Sequence, residues 1–217
     1  MTKTSLEYLV WFLNTYKDGI HGRIADFGGT ENIGDTVIRD SLAAGGQNDY
    51  HALDFDNGID LREPILPQSG NKKFDVGICM DTLEHCSNPF VVAKNIKDSL
   101  KKGALLFVTV PFVWELHYYP KDYWRFTPHG VEELFSTMYI EVIGLVRDKG
   151  AGESIPRHRI VAVFRNQKKI DVPHASAEPG TGMNMSDDGR IIYPSVYGSG
   201  DLPPGISEGI DHNAMYK

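Results

Sequence analysis

Two histidines stand in the stretch of the chain with the most chemistry to offer. His85 follows Asp81-Thr82-Leu83-Glu84, and His117 opens the run His117-Tyr-Tyr-Pro-Lys-Asp122-Tyr-Trp-Arg125. An imidazole in a loop beyond a strand end can take a proton from a hydroxyl near neutral pH. Asp122 stands where it could orient His117. Arg125 could pair with Asp122 or with an anionic substrate. Trp114, Tyr118, Tyr119, Tyr123 and Trp124 surround them and supply either an acceptor-binding wall or ordinary packing. His85, His117 and Asp122 are also residue types that bind metals, but no tight ligand spacing such as His-Glu-x-x-His occurs. No metal is expected.

A second set of residues suits a nucleoside-like ligand. Asp26-Phe27-Gly28-Gly29 ends an apolar strand pattern. Glycine there allows a ligand, or another part of the backbone, to approach closely. The run from Gly28 to Gly34 reads GGTENIG, which fits neither a phosphate loop nor the dinucleotide fingerprint. Asp54 ends the next strand pattern, where an ionised carboxylate can accept both hydroxyls of a ribose diol. Asp56 competes for that role. Further on, Asp60 could meet an adenine amino group while Leu61 packs on the ring.

The elements that must hold these residues follow from periodicity. Leu6, Leu9, Val10 and Leu13 mark an amphipathic helix within residues 1–19, rather than a signal peptide. Strands are predicted at Arg23–Phe27, Tyr50–Phe55, Phe74–Met80, Ala104–Val110, Ile140–Val146 and Arg159–Arg165. Helices are predicted at Ile33–Ala44, Asn88–Leu100 and Pro128–Met138, with Asn88 and Thr127 as caps. Residues 57–73 read as a loop hiding at most a remnant strand. This alternation predicts an α/β fold, with a mostly parallel sheet, helices on both faces and a C-terminal antiparallel hairpin at one edge. Residues 1–165 would form that domain. Residues 166–217, rich in Gly and Pro, would form a docked or flexible tail.

Composition narrows the function classes. A net charge of −7 argues against a nucleic-acid backbone as partner. No apolar run is long enough to span a membrane. The only two cysteines, Cys79 and Cys86, form no CxxC pair and suit neither a disulfide framework nor a zinc site. A cytoplasmic protein acting on a small molecule is expected. The oligomeric state stays open.

Read together, these pieces resemble class I S-adenosylmethionine-dependent methyltransferases, in the broad small-molecule and sugar group with a Leu-Glu-His turn. The matching segments are Ile24–Gly29, Ala52–Phe55, Phe74–Pro89, Leu100–Phe112 and His117–Phe135. The resemblance implies a Rossmann-like sheet and S-adenosyl-L-methionine as cofactor. It implies that Asp26, Gly28 and Gly29 border the methionine moiety and Asp54 holds the ribose. Asp60 and Leu61 would line the adenine, and Met80 and Asp81 would face the sulfonium. His117, His85 and Asp122 would be the catalytic group, acting on a sugar or other small polar metabolite beside Trp114, Tyr118, Tyr119 and Arg125. The family's usual Gly-x-Gly-x-Gly is altered here, with Thr30 and Asn32 in place of the later glycines. That departure motivates the alternative of a catalytically silent binding or scaffold module.

Overall fold

The computed structural model describes residues 3–29, 48–117, 121–147 and 157–167, together with the strand pieces Asn184–Met185 and Ile191–Ile192. The helix expected at Ile33–Ala44 lies outside the described residues, as does most of the C-terminal segment.

The first element is helix α1, Lys3–Thr15. Strands β1 (Gly22–Phe27) and β2 (Asn48–Leu53) follow. Next come a one-turn helix α2 (Ile65–Gln68), strand β3 (Phe74–Met80), helix α3 (Pro89–Ser99) and the long strand β4 (Leu100–Val113). Helix α4 (Pro128–Leu134), β5 (Tyr139–Arg147) and β6 (His158–Arg165) complete the main body. Among the described residues the sheet runs β2-β1-β3-β4-β6-β5. It is extended at the β5 edge by a short strand at Ile191–Ile192 and then one at Asn184–Met185. β1 to β4 pair in parallel, and β6 runs antiparallel between β4 and β5. The expected α/β sheet with a C-terminal antiparallel pair is therefore what the chain forms.

Period-two alternation sends neighbouring side chains to opposite faces of the sheet. On β4, Leu106, Val108 and Val110 join a core with Ile65, Val92, Ile96 and Val131 from α2, α3 and α4. Leu105 and Phe107 join the other core, with Leu9 and Phe12 of α1. Phe12 is fully buried and stacks on Phe107 at 5.0 Å between centroids. Burial of such a ring contributes roughly 1.5–3 kcal/mol. This contact fixes α1 across β4, and so fixes Ser5 beneath the site.

Local signals set the element ends. Asn88 accepts a hydrogen bond from Val91 N and Pro89 opens α3, while Thr127 accepts from Gly130 N at the start of α4. β2 ends at Leu53, two residues earlier than expected, because Asp54 caps a 3-10 turn at Phe55–Asn57. No strand forms within 57–73; α2 occupies that segment. α4 stops at Leu134 rather than Met138. Asn166, read as the first residue of a tail, is instead stitched to the body. Its Nδ2 donates to Leu100 O and Lys101 O at 3.0 Å each, and its backbone pairs with Gly103 and Ala104. Among the described residues, no helix is long and apolar enough to cross a membrane.

Candidate functional site

The site lies beyond the carboxyl ends of β1 to β4, where open parallel sheets bind ligands. β1 and β2 are in register with Phe27 opposite Leu53, so Gly28 and Asp54 sit side by side past the strand ends. Gly28 N donates to Leu53 O at 2.8 Å. Asp26 is almost wholly buried, and Tyr50 OH donates to its Oδ2 at 2.6 Å.

Both glycines have local reasons to be glycine. Gly28 has φ +86°, and a Cβ there would fall 2.4 Å from Thr82 Oγ1. A Cβ on Gly29 would fall 2.4 Å from Asp26 Cγ. Thr82 was not singled out from the sequence. Its Oγ1 lies 3.0 Å from both Phe27 O and Met80 O, tying the end of β1 to the end of β3. The signal was a small hydroxyl residue directly after the acid of a strand end. Thr30 and Asn32 lie outside the described residues.

Asp54 caps the turn after β2, accepting from Asp56 N at 2.9 Å through Oδ1 alone. Asp56 itself is exposed. Phe55 is 71% exposed, an unusual position for a phenylalanine and one the sequence reading passed over. Asp60 is engaged by Arg62, whose Nη2 and Nε reach its two oxygens at 2.7 and 2.9 Å. The Arg62 hydrogen bond lowers the Asp60 pKa. Leu61 is a core residue packed with Ile59 and Ile65, and its carbonyl accepts from Asn95 Nδ2. Of this group, Phe55 rather than Leu61 presents an open apolar face.

Met80 is half-buried and packs toward the α1 side of the sheet. Asp81 adopts φ +49°, which is uncommon for a non-glycine residue. It accepts from Ser5 Oγ at 2.8 Å, Thr109 Oγ1 at 3.0 Å and Arg159 Nη1 at 2.7 Å. Arg159 is buried and also contacts Ser5. Asp81 thus latches α1, β4 and β6 together at the floor of the site. The sequence expectation gave it only a place facing the ligand.

The histidine pair sits across from this floor. Leu83–His85 forms a 3-10 turn, and Tyr123 N and Trp124 N donate to Glu84 O at 2.8 and 3.3 Å. Trp124 Nε1 donates to Cys86 O at 2.8 Å. These bonds clamp the turn after β3 to the loop after β4 and bring His85 and His117 within 4.9 Å, edge to face. His85 Nδ1 donates to Lys121 O at 2.7 Å. His117 Nδ1 lies 3.2 Å from Asp122 Oδ2 and 3.3 Å from Glu115 O. All of these neighbours are acceptors, so each ring carries its proton on Nδ1 and keeps its lone pair on Nε2.

Asp122 has a fully buried side chain and is held by Arg125 at 2.5 and 2.6 Å. Arg125 and the His117 N–H pull its pKa down to about 2. Arg125 takes the Asp122 pairing that its spacing allowed. Its remaining donors go to Trp114 O, Trp124 O and Glu115 O, so all five N–H groups are used within the loop. It is a brace. Trp114 lies under two guanidiniums, with Arg157 Cζ at 4.5 Å and Arg159 Cζ at 5.1 Å from its ring centroid. Tyr118 and Tyr119 lie outside the described residues.

Glu84 is the residue whose chemistry the sequence reading left unused. Its side chain is 1% exposed, and neither carboxylate oxygen has a hydrogen-bond partner among the described residues. Burial, reinforced by the nearby Asp81 charge, raises its pKa well above the carboxylate range.

No protein-family model matches the sequence, and no curated protein matches it. Solved structures do match by shape. An S-adenosylmethionine-dependent methyltransferase from Anabaena variabilis ATCC 29413 aligns with TM-score 0.52 at 13% identity, over 73% of this chain and 84% of that one. One from Archaeoglobus fulgidus aligns with TM-score 0.51 at 11% identity, over 73% and 93%. One from Clostridium acetobutylicum ATCC 824 aligns with TM-score 0.50 at 11% identity, over 76% and 92%. At such identities the likeness concerns architecture. The chain has the Rossmann-like fold of these methyltransferases.

Proposed function

We propose that this protein is an S-adenosyl-L-methionine-dependent methyltransferase that methylates a hydroxyl of a sugar or another small polar metabolite. The observation that carries this reading is the placement of two facing sets of groups on one sheet rim. Asp26 lies in the last pleat of β1, Gly28 and Asp54 follow past β1 and β2, and the His85–His117 pair stands past β3 and β4. The first set suits an amino-acid-bearing nucleoside. Asp54 keeps a second oxygen for a ribose hydroxyl, and Phe55 offers an exposed ring for the adenine. The second set suits an acceptor that must lose a proton.

The cofactor's sulfonium activates the methyl group. The protein's task is to hold the acceptor oxygen in line, at about 3–3.5 Å from the methyl carbon. When bound, the cofactor would supply the methyl group to the acceptor oxygen, and His117 Nε2 would take the hydroxyl proton. Asp122 fixes the ring for that task and stabilises its cation, while Arg125 keeps Asp122 ionised and in place.

The test supplies methyl-labelled cofactor and a panel of polyhydroxylated acceptors, and follows label transfer by mass spectrometry. At least one acceptor is expected to gain a methyl group. His117→Ala is expected to lower kcat by roughly 100- to 10,000-fold with cofactor affinity retained. Undiminished transfer by His117→Ala would remove the histidine from the mechanism. Cofactor binding with no transfer to any acceptor would favour the silent-module reading.

A further inference from the structure

Glu84 poses a physical problem that methyl transfer does not solve. Its backbone is firmly held, with its carbonyl accepting from Tyr123 N and Trp124 N. Its side chain is buried, and both oxygens lack a hydrogen-bond partner among the described residues. A carboxyl group in that condition costs on the order of several kcal/mol unless something compensates it. His85 Nε2 stands 3.9 Å from Glu84 Oε1, too far for a hydrogen bond.

Three potential ligand atoms converge at this point. One donor atom from each of Glu84, His85 and His117 lies within 4.8 Å of the other two. Ligands bonded to one tetrahedral ion at 2.0–2.1 Å stand about 3.3 Å apart. The three atoms therefore need to close by at most about 1.5 Å, within the reach of side-chain rotation. The surroundings of the two imidazoles point the same way. Lys121 O holds Nδ1 of His85, and Asp122 holds Nδ1 of His117. A carbonyl or carboxylate on one ring nitrogen, with the other left to coordinate, is how metal-binding histidines are oriented. Asp122 is in turn fixed by Arg125, so the support extends one layer further out.

We propose that Glu84, His85 and His117 form a binding site for one divalent first-row transition-metal ion. Two imidazoles and one carboxylate suit zinc, iron(II), cobalt(II) or manganese(II) better than magnesium or calcium, which favour all-oxygen ligand sets. Three protein ligands leave at least one coordination position open. The sequence carries no metal signature because Glu84-His85 and His117 come from separate loops. The bonds from Tyr123 N and Trp124 N to Glu84 O, from Trp124 Nε1 to Cys86 O and from His85 Nδ1 to Lys121 O join those loops.

Metal binding itself requires no methyl transfer. One consequence rests on the proposed function: an acceptor hydroxyl on the open position would be acidified by the ion. His117 would then serve as ligand in the loaded protein and as proton acceptor only in the metal-free one.

The experiment uses the full chain, stripped with chelator and titrated with Zn²⁺ and, separately, Co²⁺. Calorimetry is expected to give one equivalent per chain. Co²⁺ is expected to give the visible bands of a low-symmetry four- or five-coordinate site. Glu84→Gln and His85→Ala are each expected to weaken binding at least 100-fold, and Asp122→Asn 10- to 100-fold. His129→Ala, an exposed histidine on α4, is expected to leave it unchanged. Metal-free Glu84→Gln preserves the shape of the side chain, so its thermal transition is expected to match or exceed that of the metal-free parent. That match shows the variant is folded. Absence of stoichiometric binding in the parent overturns the proposal, as does unchanged affinity in folded Glu84→Gln. Cofactor calorimetry on the same samples separates the two readings. Metal bound without cofactor defeats the methyltransferase assignment alone, and cofactor bound without metal defeats this site alone.

Discussion

Gly28→Ala sets two explanations of one residue against each other. In the methyltransferase reading the glycine borders the cofactor, yet the structure supplies a reason internal to the protein. At φ +86° an L-residue pays about 1–2 kcal/mol of backbone strain. The new Cβ would also sit 2.4 Å from Thr82 Oγ1 and 2.5 Å from Thr82 Cγ2. Overpacking of that kind costs about 1–3 kcal/mol. The sum is about 3 kcal/mol, or a fall in Tm of roughly 6–12 °C for a domain of this size. Thr82→Ala removes both overlapping atoms, along with the hydroxyl that joins Phe27 O to Met80 O. That single change is expected to cost about 1 kcal/mol. The double variant should recover part of the loss, with a coupling of about 1–2 kcal/mol in a urea-unfolding cycle. A coupling below about 0.5 kcal/mol would refute the steric account. A Gly28→Ala protein of undiminished stability that fails to bind cofactor would assign the glycine to the ligand alone.

Three further outcomes follow from the site. Arg125→Ala strands the buried Asp122 and frees three carbonyls; it is expected to lower stability in urea by about 2–3 kcal/mol, and a loss under about 0.5 kcal/mol would contradict the brace. The Asp122 pKa lies below its unfolded value, so its stabilisation is complete above about pH 4 and disappears as the pH falls toward 2. Asp122→Asn should therefore flatten the stability slope between those values, and an unchanged slope would locate the acid sensitivity elsewhere. Burial pushes the Cys86 thiol up to about 12 and Cys79 is fully buried, so iodoacetamide at pH 8 is expected to label neither thiol until the protein unfolds. Rapid labelling of native Cys86, read by mass spectrometry, would contradict that environment.

Periodicity carried the fold because the central strands β3 and β4 are buried on both faces. Runs such as Val76–Met80, broken only by Gly77, are short apolar stretches that admit few other readings. Caps at Asn88 and Thr127 were legible because one side chain and one turn of backbone decide them. The boundary at Asp54 was not, since it is set by the Asp56 N bond to Oδ1 and by backbone bonds from Asn57 and Ile59 to Asp54 O, which residue types alone do not announce. The site divides in the same way. Residues whose type suffices, such as His117 beside Asp122, could be named from spacing. Roles that depend on long-range partners could not. Asp81 became a latch through Ser5 and Arg159, which are remote from it in the chain. For Arg125 the Asp122 pairing was legible, but the three carbonyls that take up its other donors were not. Glu84 drew no notice because an acid in a turn is ordinary until its burial is known.

Titration of the full chain with S-adenosylhomocysteine, the demethylated cofactor, by calorimetry tests the central claim most directly, with Asp54→Ala beside it. Saturable binding at one equivalent is expected, weakened at least 10-fold in Asp54→Ala, with a stability loss of only about 1 kcal/mol from the missing turn cap. Absence of binding by both this ligand and S-adenosyl-L-methionine would contradict the account.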